Sequence, residues 1–129
     1  MPIFKTKWFA RFARKESISD KKLIDAVREI EKGLNDGDLG EGLIKKRVPR
    51  PGEGKRGGYR TIIVFRAGDL AVFVYGFPKS ARANLKTAEL DGYQKLAQIY
   101  LTFSAESLTK ALNEGELEEV NDNGEQISK

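Results

Sequence analysis

Neither cysteine nor histidine occurs in the 129 residues. The first absence excludes a disulfide framework and thiolate chemistry. The second removes the commonest metal ligand and the commonest acid–base group of neutral pH, so neither a metal nor another cofactor is expected. No apolar run approaches the ~18 residues of a membrane span, and no membrane partner is expected. The opening MPIFKTKWFARF lacks the uninterrupted apolar segment and small-residue cleavage site of a leader, and the expected compartment is the cytoplasm. Acidic residues are scarce in one place only. Residues 43–86 hold eleven Lys/Arg against Glu53 and Asp69 alone, a net charge of +9. Residues 1–42 carry +1 and residues 87–129 carry −6.

Hydrophobic residues make up 40% of the chain and charged residues 33%, the composition of a globular protein with its own core. One domain over residues 1–116 is expected, followed by an acidic tail over 117–129 with little structure. Segregated charge of this kind points to a polyanionic partner, foremost a nucleic acid.

The glycines of GEGKRGGYR, Gly52 to Arg60, have the spacing G-x-G-x-x-G at Gly52, Gly54 and Gly57. A dinucleotide loop must follow a strand and open a helix, so that pyrophosphate meets the helix N-terminus. Here a strand follows the glycines, so that reading fails. A Walker loop ending at Lys55 would need glycine at 49 and Ser or Thr at 56, where Pro49 and Arg56 stand. The glycines are best explained as a turn-rich connection that permits positive φ. That explanation leaves Lys55, Arg56 and Arg60 crowded around them.

Ile3–Phe9 reads as a first strand ending near Arg11. Ser19 caps an amphipathic helix carrying Leu23, Ile24, Val27, Ile30 and Leu34. Leu43–Val48, Tyr59–Phe65 and Leu70–Phe77 read as strands, the last two joined by a tight turn at Ala67, Gly68 and Asp69. A helix is predicted from about Ala83 to Tyr100, and another after the cap Ser104. The order β-α-β-β-β-α-α gives an α+β domain: a small antiparallel, mixed-edge sheet of about four strands, with an N-terminal helix and C-terminal helices.

Alternation along a strand places Lys45 and Arg47 on one face and Lys46 with Val48 on the other. Tyr59 and Arg60 stand at the polar entrance of their strand. Antiparallel topology gathers Arg47, Arg50, Lys55, Arg60, Lys79 and Arg82 at one rim. Tyr75, Phe73 and Phe65 read as core. Such a rim can bind a phosphodiester, and cleavage of RNA by its own 2′-hydroxyl needs cationic stabilisation of the phosphorane, a base and an acid. Without histidine, Lys55, Lys46 or Glu53 are the available bases, and Tyr59 or a lysine the acid.

The runs LIKKRVPRPGEGKRGGYRTIIVF, GDLAVFVYGFPKSARANL and ELDGYQKLA resemble the RelE/ParE superfamily of type II toxin–antitoxin toxins, and within it the RelE/HigB-like branch. The pattern K-x-R falls on Lys45 and Arg47, G-K-x-G-G-Y-R on Gly54 to Arg60, and F-x-K with its asparagine on Phe77, Lys79 and Asn84. The similarity spans roughly Phe4 to Ala97. It implies a RelE-like α+β fold, a cognate antitoxin, and a ribosome-dependent mRNA endoribonuclease that inhibits translation without a metal. Carried over, Arg60 is the phosphate-stabilising arginine, Lys79 or Arg82 the second cation, and Lys55 the lysine of the basic loop. Catalysis is thus assigned to Lys55, Arg60, Lys79 and Tyr59, and RNA contact to Lys45, Lys46, Arg47, Arg50, Arg56 and Arg82. The family's usual tyrosine or histidine near the end of the fold has no counterpart in ANLKTAEL, which leaves the acid open. Two rivals remain: a ParE-like inhibitor of DNA gyrase, and an RNA-binding module without catalysis.

Overall fold

The computed structural model describes residues 1–50, 52 and 57–121. Lys55 and Arg56, nominated above, and the base alternative Glu53 lie outside the described residues. The chain runs β1 (Ile3–Thr6), α1 (Lys7–Glu16), α2 (Asp20–Glu31), β2 (Gly37–Asp38), β3 (Leu43–Val48), β4 (Tyr59–Arg66), β5 (Leu70–Pro78), α3 (Thr87–Leu101), α4 (Ala105–Asn113) and β6 (Leu117–Glu119). The architecture is α+β, as expected. The sheet has six strands rather than about four, in the order β2-β3-β4-β5-β1-β6. It is mixed, because β1 pairs in parallel with β5 through Ile3–Ala71, Phe4–Val72 and Lys5–Phe73.

Three boundaries differ from expectation. The first strand stops at Thr6, whose side chain accepts a hydrogen bond from the Phe9 amide and starts a helix. Phe9, Ala10 and Ala13 then form a buried stripe at helical spacing, which overrides the β-propensity of the aromatic run. The segment from Leu117, expected as tail, pairs antiparallel with β1 as far as Glu119. Burial of Leu117 and Val120 holds it there. The helix expected from Ala83 begins at Thr87, with Lys86 at its N-cap and Glu89 folded back onto the Lys86 amide. The Ser19 cap and the strands β3, β4 and β5 match the expected segments to within about a residue.

Helices flank both faces of the sheet. On one face α1 and α2 bury Phe9, Leu23, Val27 and Ile30 against Ile44, Val48, Tyr59, Ile63 and Phe73. On the other, α3 and α4 cover Leu43, Ile62, Val64, Val72 and Val74. Each fully buried side chain of this size contributes about 1.5–3 kcal/mol. Close approach of α1 needs Gly76, since a Cβ there would lie 2.7 Å from the Phe12 ring. Gly58 is as constrained: a Cβ would meet the Val48 carbonyl oxygen at 2.2 Å. No helix among the described residues is long and apolar enough to cross a membrane.

Candidate functional site

The basic residues divide between the two faces of the sheet. Antiparallel register sets Arg47 directly opposite Arg60 and Arg60 opposite Phe77. The next row pairs Lys45 with Ile62 and Ile62 with Tyr75. Lys45, Arg47, Arg60, Tyr75 and Phe77 therefore share the face that carries α3. Lys79 lies just past β5, its amide bonded to the Gly58 carbonyl at 3.1 Å, and its side chain is exposed.

The loop between β5 and α3 closes over this end. Arg82 sits 5.3 Å above the Phe77 ring. Its Nε donates to the Asn84 carbonyl at 3.1 Å and its Nη1 to Glu89 at 3.0 Å, and a second nitrogen completes the fork on the same carboxylate. Asn84 in turn accepts from Lys45 Nζ at 2.9 Å. The lysine of K-x-R and the asparagine of F-x-K-x-x-x-x-N thus meet in space, 39 residues apart.

Electrostatics at this face favour an incoming anion. Like charges directly opposite on neighbouring strands repel. Arg60 is only 5% exposed, and burial first, then Arg47, lowers its pKa, with Asp36 partly offsetting them. Asp36 also holds Arg47, 3.6 Å from its Nε. Arginine stays protonated through such a shift, so both guanidinium groups keep their charge on this face. Nearby, Glu89 is held down to about 2 by the hydrogen bond from Arg82 and then by the Lys86 amide. It remains a carboxylate, and Arg82 is raised by the same bond. Burial pushes the Tyr93 phenol up to about 12, which keeps it a neutral donor.

Lys46, Tyr59 and Arg50 do not join this group. Lys46 faces α2 and is 4% exposed, with its Nζ 2.7 Å from Glu29, 3.9 Å from Asp36 and donating to the Leu34 carbonyl at 2.9 Å. The Tyr59 ring is buried under α1, edge-on to Phe12 at 5.8 Å. Its hydroxyl donates to Glu16 Oε1 at 3.0 Å. Arg50 donates to the same hydroxyl at 3.4 Å and lies 3.8 Å from Glu16. Alternation along the strands had already separated Lys46 from Lys45 and Arg47. The burial of Tyr59 followed from its position opposite Val48, which only the strand register reveals.

Two aromatic residues absent from the sequence-based site stand beside it. Tyr75 is half-buried and stacks on Tyr93 at 5.2 Å, with Phe77 at 5.9 Å and Trp8 at 4.7 Å. Phe73, by contrast, is fully buried as core. Tyr93 belongs to a partly buried stretch of α3 that reads as ordinary core from its spacing; only its contact with Tyr75 brings it to the site.

No characterised protein and no solved structure matches the chain. The family model described as the RelE toxin of the RelE/RelB toxin–antitoxin system matches residues 1–120. That span takes in β1 through β6 and every residue of the face just described, and the chain therefore belongs to the RelE toxin family, whose members act in toxin–antitoxin systems with an antitoxin partner.

Proposed function

We propose that this toxin is a ribosome-dependent mRNA endoribonuclease of the cytoplasm and that RNA is cut on the α3 face of the sheet. The observation that carries the reading is the Arg47–Arg60 pair, two like charges placed directly opposite each other, one of them destabilised by burial. A phosphodiester lying across the pair is attracted by both charges, and the pentacoordinate phosphorane, with more negative charge, is attracted more strongly. Interactions that strengthen as charge develops are those that accelerate the step.

In this reading the 2′-oxygen forms a bond to phosphorus while the bond from phosphorus to the 5′-oxygen breaks. The products are a 2′,3′-cyclic phosphate and a 5′-hydroxyl. The 2′-proton passes to a base and a second proton reaches the departing 5′-oxygen. Arg60 and Arg47 hold the non-bridging oxygens, and Arg82 and Lys45 bind the strand on either side. Lys79, exposed beside Gly58, and Lys55 are the lysines for proton transfer. The Tyr59 phenol faces α1, so the phenols available on this side are Tyr75 and Tyr93. Lys46 and Arg50 act in the fold, on Glu29 and Glu16.

Purified protein added to a translation reaction, with mRNA 5′ ends mapped by primer extension, tests the reading. Discrete cuts that need ribosomes are expected. Intact mRNA, from folded protein with working ribosomes, overturns it. Inhibition of gyrase-catalysed supercoiling by the same preparation then establishes the ParE-like alternative. Salt-sensitive RNA binding without cleavage establishes a binding module.

A further inference from the structure

One patch of the molecule is left unused by the site described. Helix α1 reads KWFARFARKE, and its only acidic residue, Glu16, is engaged by Tyr59 and Arg50. At 100° per residue, Arg14, Lys7, Arg11 and Lys15 fall in one arc with Trp8 at its flank. All five are exposed. Arg14 faces Glu118 at 3.8 Å. Lys7, Arg11 and Lys15 have no carboxylate within ion-pair distance among the described residues. Trp8 is 42% exposed, stacks on Phe12 at 5.4 Å with 14° between the planes, and lines a shallow cleft of about 260 Å³ with Arg11, Phe12 and Lys15.

Solvated surfaces normally intersperse both signs of charge and keep large aromatics covered. A row of cations beside an open indole is instead the chemistry of a single-stranded nucleic-acid groove, where bases stack on rings and phosphates follow the charge. The patch is also continuous with the candidate site. Trp8 contacts Tyr75, Tyr75 contacts Phe77, and Phe77 lies beneath Arg82.

We propose that the outward face of α1 is a second contact surface for single-stranded RNA, with an unpaired base stacked on Trp8 and adjoining phosphates held by Lys7, Arg11 and Lys15. The proposal rests on the RNA-binding reading above but not on cleavage. A strand crossing the α3 face continues past Tyr75 onto α1, so one RNA engages both. Lys7 to Lys15 spans about 12 Å along the helix, room for a short run of nucleotides rather than a single phosphate.

Trp8 is the chain's one tryptophan, so its fluorescence reports on this patch and its contact with Tyr75. A labelled oligouridine is titrated into the full chain at low salt, with total binding read by anisotropy and stacking by tryptophan quenching. Saturable quenching that tracks anisotropy is expected. Arg11→Gln/Lys15→Gln, which keeps helix-forming residues on an exposed face, should flatten the log–log salt slope by about 1.4. Trp8→Leu should weaken binding by about fivefold or more. Binding without quenching, or an Arg11→Gln/Lys15→Gln protein with wild-type affinity and slope, overturns the proposal and assigns the α1 face to a protein partner. Arg60→Ala run alongside separates the two readings. Loss of affinity only in Arg60→Ala leaves the sheet-face reading standing without this one, and loss only in the α1 variants does the reverse. Absence of any binding sinks this proposal and leaves the ribosome-dependent reading to the cleavage assay.

Discussion

Tyr59→Phe separates a catalytic role for this phenol from a structural one. The substitution removes one oxygen and leaves a ring that is 2% exposed and packed against Phe12. The lost hydroxyl donates to Glu16 at 3.0 Å and accepts from Arg50 at 3.4 Å. A hydrogen bond to a charged partner contributes about 1.5–3 kcal/mol. Here the Glu16 side chain keeps 19% of its exposure and has Arg50 nearby, so water and the guanidinium compensate in part. The expected cost is about 1–2 kcal/mol. For a domain of this size that lowers Tm by roughly 3–10 °C. Were Tyr59 the general acid, its removal would slow cleavage by about 10²–10⁴-fold. Thermal unfolding and ribosome-coupled cleavage measured on one preparation decide the matter. A lower Tm with a cleavage rate within about threefold of wild type is expected. An unchanged Tm with a hundredfold slower rate would refute the placement of the phenol.

Four further outcomes follow from the same geometry. Lys46→Met should lose about 2 kcal/mol in urea unfolding, because it removes the ion pair to Glu29 and the donor to the Leu34 carbonyl, yet leave the salt slope of RNA binding unchanged. Glu89 has a folded pKa of about 2 against an ordinary 4.5. Its contribution is therefore complete above about pH 4.5 and lost as pH falls towards 2, and Glu89→Gln should flatten stability across that window, as acid-dependent unfolding curves will show. Gly58→Ala drives a Cβ into the Val48 carbonyl and should cost at least about 3 kcal/mol. Gly92→Ala, in α3 with nothing near its Cβ, should gain about 0.5–1 kcal/mol in the same unfolding assay.

Local signals sufficed for the centre of the fold. Ser19 announces its helix because its side chain caps the Lys22 amide, β4 and β5 are rich in β-branched and aromatic residues, and β3 is stopped by Pro49. Failures occur where a distant partner decides. Thr6 could have been read as a cap, but the aromatic residues after it fit strand or helix equally, and burial against Phe73 and Gly76 settles them as helix. Leu117–Glu119 has too few apolar residues to declare itself a strand; β1, more than a hundred residues earlier, makes it one. The site divides in the same way. Alternation set Lys45 and Arg47 apart from Lys46, and antiparallel topology brought Arg60 and Lys79 towards one rim. Neither could show that Tyr59 turns under α1, or that Tyr75 and Tyr93 stack beside Arg82.

The proposed nuclease depends most on Arg60, which would stabilise the cleavage transition state from the α3 face. Single-turnover cutting of a programmed ribosome by wild type and Arg60→Ala, with circular dichroism confirming that both are folded, tests it most directly. A loss of about 10²–10³-fold in the cutting step at unchanged cut positions is expected. An Arg60→Ala protein that is folded and cuts at the wild-type rate would contradict it.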